Sequence, residues 1–144
     1  MLGNLTSDEI ERVLREEALG RIGCHARGRT YVVPVTYAYD GERVICHSGR
    51  GDSVRMMREN PEVCFEVEQV HNLANWRSVV AEGRFEELDG EDAETAANFL
   101  EDRLLPLIAS ATAFPYSVAG HGLHPDSVIY SIYLGKKTGR YERP

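Results

Sequence analysis

The chain has 144 residues, which is room for one domain with a real core and short of the usual size for two; one domain over 1–144, with one site, is expected. Acidic residues outnumber basic ones by 23 to 16, a formal net charge of −7, and that field excludes nucleic acid as a natural partner. No apolar run approaches the roughly 20 residues of a membrane helix and no signal peptide is legible, so no membrane partner and a cytoplasmic location are expected.

The first predicted element is a helix. Thr6 and Glu9 have the spacing of a capping box, Leu5 and Ile10 that of a hydrophobic staple, and Ile10, Val13 and Leu14 make one apolar stripe. After Gly20 the pattern changes to short β-rich runs over 21–26, 30–39, 43–47, 63–70 and 76–88, separated by Gly28, Asp40-Gly41 and Asn60-Pro61. Between the third and fourth runs, Asp52 to Glu59 predicts two helical turns stopped by Asn60-Pro61. A longer helix is expected from about Asp92 to Ala109, bent or restarted at Pro106. Ser127 to Leu134 alternates as a last strand, with Val128, Tyr130, Ile132 and Leu134 on one face. Six short strands joined mostly by tight turns favour a mainly β fold with flanking helices, an antiparallel barrel rather than an open doubly wound sheet. Cys24, Cys46 and Cys64 are odd in number, far apart and set among apolar neighbours; buried free thiols are expected.

The most informative stretch is the strand, turn and helix start from Val44 to Arg55. Backbone N–H groups at such a start, with the hydroxyls of Ser48 and Ser53 and the cations of Arg50 and Arg55, suit a phosphate-bearing ligand. The bland alternative is a capped turn with Asp52 or Ser53 as N-cap. The spacing is neither Gly-x-Gly-x-x-Gly nor a loop ending in Gly-Lys-Ser, which disfavours dinucleotide and nucleoside-triphosphate loops.

Several segments, in order, resemble one family. Tyr31-Val32-Val33-Pro34-Val35-Thr36-Tyr37 is similar to its second-strand signature, and His47-Ser48 with Gly51 to its phosphate turn. Asn60-Pro61-Glu62-Val63-Cys64-Phe65 resembles the entry to its next strand; Asn75-Trp76-Arg77-Ser78-Val79-Val80 with Gly83, and the tail Thr138-Gly139-Arg140, also fit. The family is that of the pyridoxamine 5'-phosphate oxidase-like FMN-binding split barrels, in its nitroimidazole-resistance-type branch. The resemblance implies a six-stranded antiparallel split β-barrel that holds FMN. Val33, Pro34, Val35 and Thr36 would lie along the flavin, and His47, Ser48, Arg50, Gly51 and Ser53 would hold its phosphate. It also implies a homodimer with the cofactor at the subunit interface, where Trp76 and Ser78 meet flavin from the partner. The function expected is that of a flavoprotein oxidoreductase passing electrons from a nicotinamide or similar donor to a small molecule, nitroaromatics being one class.

Where the family often carries a basic residue two places after the turn glycine, this chain has Ser53, which offers a neutral hydrogen bond instead of a point charge. Arg50 or Arg55 would have to compensate, and another flavin-like ligand or heme stays open. A non-catalytic flavin- or heme-binding protein of the same fold is the alternative function.

Two side chains keep bland readings. Trp76 is as suited to core or interface as to ligand stacking, and Pro34 marks an edge strand or bulge. His121 and His124 lack a third ligand, so no metal site is expected. Adjacent strand residues such as Cys24-His25 and Cys46-His47 point to opposite faces and do not grip one ion.

Overall fold

The computed structural model describes residues 1–107 and 127–144. A short strand β1 (Leu2–Asn4) leads into helix α1 (Ser7–Glu16), which starts where the capping box places it. Thr6 Oγ1 accepts from the Glu9 amide at 3.2 Å, and Glu9 Oε1 accepts from the Thr6 amide at 3.0 Å. Leu5 and Ile10 close the staple over Gly139, where a Cβ would lie within 2.9 Å of both side chains. That glycine is set by close approach and holds the first helix against the last strand.

The remaining strands are β2 (Leu19–Ala26), β3 (Arg29–Thr36), β4 (Ala38–Tyr39), β5 (Arg43–Ser48), β6 (Glu62–Asn72), β7 (Asn75–Glu87) and β8 (Val128–Glu142). Helix α2 (Asp52–Glu59) follows β5, and α3 (Gly90–Leu104) follows β7. The β2–β3 hairpin turns through Arg27 and Gly28, both at positive φ (52° and 75°), the two-residue turn whose twist matches the strands. At the next turn Asp40 Oδ1 accepts from the amides of Glu42 and Arg43.

All pairings are antiparallel, and the sheet runs β3-β2-β6-β7-β8-β5-β4 with β1 beside β8. The two ends of that path, β3 and β4, are separated in sequence by Tyr37 alone, so the sheet closes on itself as a barrel split at that residue. Tyr37 is fully buried, its amide donates to Ala18 O at 2.9 Å and its hydroxyl to Leu14 O at 2.9 Å. Its ring meets Phe65 edge-on, centroids 4.9 Å apart.

Among the described residues the sheet therefore has eight strands where six runs were expected. Tyr37 divides the run over 30–39, because its side chain turns inward to α1 and interrupts the ladder. β1 is too short to read from pattern. β8 reaches Glu142 instead of Leu134, since the polar stretch around Lys136 and Lys137 still pairs with β7.

One core fills the barrel, with Ile22, Tyr37, Val44, Met57, Phe65, Val67, Val79 and Ile132 among its members. A second lies outside it, where Ala93, Ala96, Ala97, Leu100 and Leu104 of α3 cover Ala38, Ile45 and Ile129. This explains why Val128 to Ile132 are buried without a break, where a one-faced alternation was expected. α3 ends at Leu104, and Pro106 lies in a single 3₁₀ turn, Leu105–Leu107, as a restart at proline requires. Cys24 and Cys46 are buried free thiols, but Cys64 is exposed. The even positions of β6 face outward while Val63, Phe65 and Val67 face in.

Candidate functional site

β5 delivers Ser48 to one corner of the barrel, the chain turns through Gly49-Arg50-Gly51, and α2 begins at Asp52. The N-cap of α2 is Gly51, in extended backbone with no side-chain cap bond; neither Asp52 nor Ser53 caps the helix, which removes the capped-turn alternative. α1 has its own acceptors in Thr6 and Glu9, whereas the first-turn amides of α2 lack a side-chain acceptor among the described residues. The start of α3 is also uncapped, but Asp89, Glu91 and Asp92 surround it, so it repels anions. A Cβ at Gly49 or Gly51 would meet nothing within 4 Å among the described residues. The corner is open, donor-rich and fitted to an anionic group such as a phosphate.

The side chains here take unequal parts. Ser48 donates its hydroxyl proton to Gly49 O at 2.7 Å, so it must rotate to serve a ligand. Arg55 is tied to Asp52 in an i,i+3 ion pair, and this pairing, with the charge of Arg29, holds the Asp52 carboxyl below its ordinary range. Arg50 makes no ion pair among the described residues, and its charge reaches Glu87, whose carboxylate is held by Arg58 at 2.6 and 2.9 Å. His47 is half-buried, and desolvation lowers it to about 4. It is neutral at pH 7.

The β3 residues divide between faces. Val33 and Val35 pack toward the barrel core, while Pro34 and Thr36 lie on the outer face with Val32. β3 ends the sheet path and so presents an edge, where Pro34, lacking an N–H, is at home. Trp76 and Ser78 also lie on the outer face, but β2 and β6 stand between them and β3, a span of about 14 Å at ~4.8 Å per strand. Within one chain, therefore, the fold gathers His47, Ser48, Arg50, Gly51 and Ser53 at one corner beside the start of β3 and leaves Trp76 and Ser78 away from it.

Arg29 and Arg27 were not singled out from sequence. With Arg55, Asp52, Ala26, Met56 and Glu59 they line a hollow of about 190 Å³ between the β2–β3 turn and α2. Their only local signal was a basic pair around Gly28, some twenty residues before the turn they flank.

The outer face carries exposed Val32, Val70 and Val80 around a charged cluster. Arg21 lies 3.4 Å from Glu66 and 3.2 Å from Glu68. Desolvation, and then the hydrogen bond and charge of Glu68, raise Glu66 to about 7. A carboxyl raised on folding binds its proton more tightly in the native state, so stability falls as pH climbs from about 4.5 to 7. Glu66→Gln should flatten that fall in a series of thermal melts from pH 5 to 8, leaving the variant the more stable form at pH 8.

Among the described residues no group of three His, Cys, Asp or Glu is placed to hold a metal; His121 and His124 lie outside them. No helix among the described residues is long and apolar enough to cross a membrane.

A closed antiparallel sheet split at Tyr37, with an uncapped helix start at its corner, defines a split β-barrel. Residues 6–120 match the model of the pyridoxamine 5'-phosphate oxidase family, and the chain belongs to that family. An uncharacterized protein of Rhizobium meliloti is 34% identical over 84 residues, 58% of this chain and 56% of the relative, so the match spans little more than half the relative's length. A FAD-binding protein of Mesorhizobium loti superposes with TM-score 0.81 at 27% identity, covering 98% of both chains. A protein of Bacteroides thetaiotaomicron, named as a proposed 5-nitroimidazole antibiotic resistance protein, shares the fold at TM-score 0.73 and 18% identity, covering 98% of this chain and 87% of its own.

Proposed function

We propose that this chain binds a flavin by its phosphate at the start of α2 and serves as an oxidoreductase, with electrons passing from a nicotinamide or similar donor to a small molecule, nitroaromatics among the candidates. The observation that carries the reading is the helix start at Gly51, without a side-chain cap and open around its glycines. FMN is the smallest flavin that presents the phosphate this corner suits. Family membership and the FAD-binding neighbour from Mesorhizobium loti support a flavin in particular.

When bound, the flavin ring would supply the redox chemistry. The chain's own residues bind and orient. Amides of the first turn of α2, with Ser48, Ser53 and Arg50, hold the phosphate. Neutral His47 contributes a hydrogen bond without adding charge, and the edge of β3 around Val33 to Thr36 lies along the ring and its chain.

A second copy of this chain completes the site in this reading. Val32, Val70 and Val80 flank a face that one chain leaves exposed, and self-pairing across it brings the partner's Trp76 and Ser78 to the flavin that one chain's fold keeps about three strand spacings away.

Ser53→Lys should tighten FMN binding by roughly tenfold, the gain of one charge-assisted contact, measured by quenching of flavin fluorescence; looser binding would place the phosphate elsewhere. The function as a whole is tested by the absorbance of purified protein. Yellow protein bleached anaerobically by NADH or NADPH supports turnover, flavin that no donor reduces points to a carrier, and a Soret band points to heme.

A further inference from the structure

The hollow beside the turn is the feature the flavin reading does not use. It is framed by two elements far apart in sequence, the β2–β3 turn with Arg27 and Arg29, and α2 with Asp52, Arg55 and Glu59. Its two walls are pinned together. Arg27 pairs with Glu59 at 2.7 Å, and Asn60 Nδ2 donates to His25 O at 2.8 Å. Three arginines against two carboxylates leave one net positive charge, on a chain whose overall charge is −7.

The cations are not equivalent. Arg27 is neutralised by Glu59 and Arg55 by Asp52, whereas Arg29 has no ion pair within 4 Å among the described residues. Its charge reaches Asp52, the first residue of α2. Arg29 is thus an available guanidinium next to the helix start that takes the first phosphate. The hollow, about 190 Å³, corresponds to roughly six waters and falls below the roughly 300 Å³ where pockets for ring systems begin. It admits a phosphate with its hydration and leaves no space for a purine, which would rest outside on solvent.

We infer that this hollow is a second phosphate subsite, with Arg29 as its contact, so that the chain prefers a flavin bearing two linked phosphates, of the FAD type, over FMN. The inference rests on the flavin reading above and sharpens it. A guanidinium matches a phosphate with two parallel N–H donors, and its pairing with Asp52 is too distant to compete.

The test compares wild type with Arg29→Ala and Arg29→Lys, titrating FMN and FAD separately at low salt and reading flavin fluorescence. Wild type is expected to bind FAD about tenfold tighter than FMN. Arg29→Ala should weaken FAD by about the same factor and change FMN less than about twofold, with Arg29→Lys intermediate for FAD, because one charge-assisted contact is at stake. FMN bound as tightly as FAD by wild type would overturn the inference while leaving the flavin reading intact. Arg29→Ala weakening both ligands alike would also overturn it, by moving Arg29 to the first phosphate. A chain that binds neither flavin would overturn the flavin reading, and this inference with it. Arg29 is exposed, and unchanged melting of the variant keeps the comparison free of folding defects.

Discussion

Gly51→Asp is expected to abolish tight flavin binding while leaving the fold as stable as before or slightly more so. Position 51 is the N-cap of α2, its backbone is extended, and a side chain there meets nothing within 4 Å. An aspartate in that place accepts from the first-turn amides, as a favoured N-cap does, and sets a negative charge where the phosphate should sit. Loss of the amide contacts together with like-charge repulsion should lower affinity by roughly a hundredfold or more, read by fluorescence titration. Asp in place of Gly at an N-cap changes stability by only a few tenths of a kcal/mol, so the melting temperature should hold. Gly51→Ala is the control. Without a carboxylate it should retain most of the affinity, and if it loses binding as fully as the aspartate, then steric filling and not charge is at work.

The largest effect on stability is expected at Phe65, not at the corner. Phe65 is fully buried and edge-on to Tyr37, the residue at which the barrel splits. Phe65→Ala removes the ring and leaves a cavity in the middle of the barrel, a loss of about 4 kcal/mol that corresponds to a fall of roughly 15 °C in melting temperature for a chain this size. Urea unfolding checks it, with a lower midpoint at an unchanged slope. Tyr37 also fixes β3 against α1 through Leu14 O, so the variant should hold flavin less tightly even at temperatures where it is folded. A variant within about 1 kcal/mol of wild type would mean that the seam is not held by this ring pair.

What was legible in the sequence is what depends on near neighbours along the chain. The capping box and staple specify α1 because all their contacts lie within six residues, and Asp52 to Glu59 is helical as its stop at Asn60-Pro61 predicts. The anion-suited turn could be read for the same reason. The split of the third run at Tyr37 could not, because it depends on a hydroxyl reaching Leu14, 23 residues away. The outward face of Cys64 depends on the parity of a strand whose neighbours were unknown, and the separation of Trp76 from Pro34 depends on strand order. Arg29 reaches the corner only once the β2–β3 hairpin packs on α2. Its charge reaches Asp52, at the turn where Ser53 replaces a basic residue, through a contact that local sequence does not show.

The claim on which the rest depends is that the amides opening α2 receive a phosphate. A crystal structure of the chain grown with excess FMN tests it most directly. Phosphate oxygens are expected within hydrogen-bond reach of the amides of Asp52 and Ser53, with the ring along β3 near Pro34. A flavin bound elsewhere, or a corner that stays empty or is filled by the protein's own side chains, would contradict it.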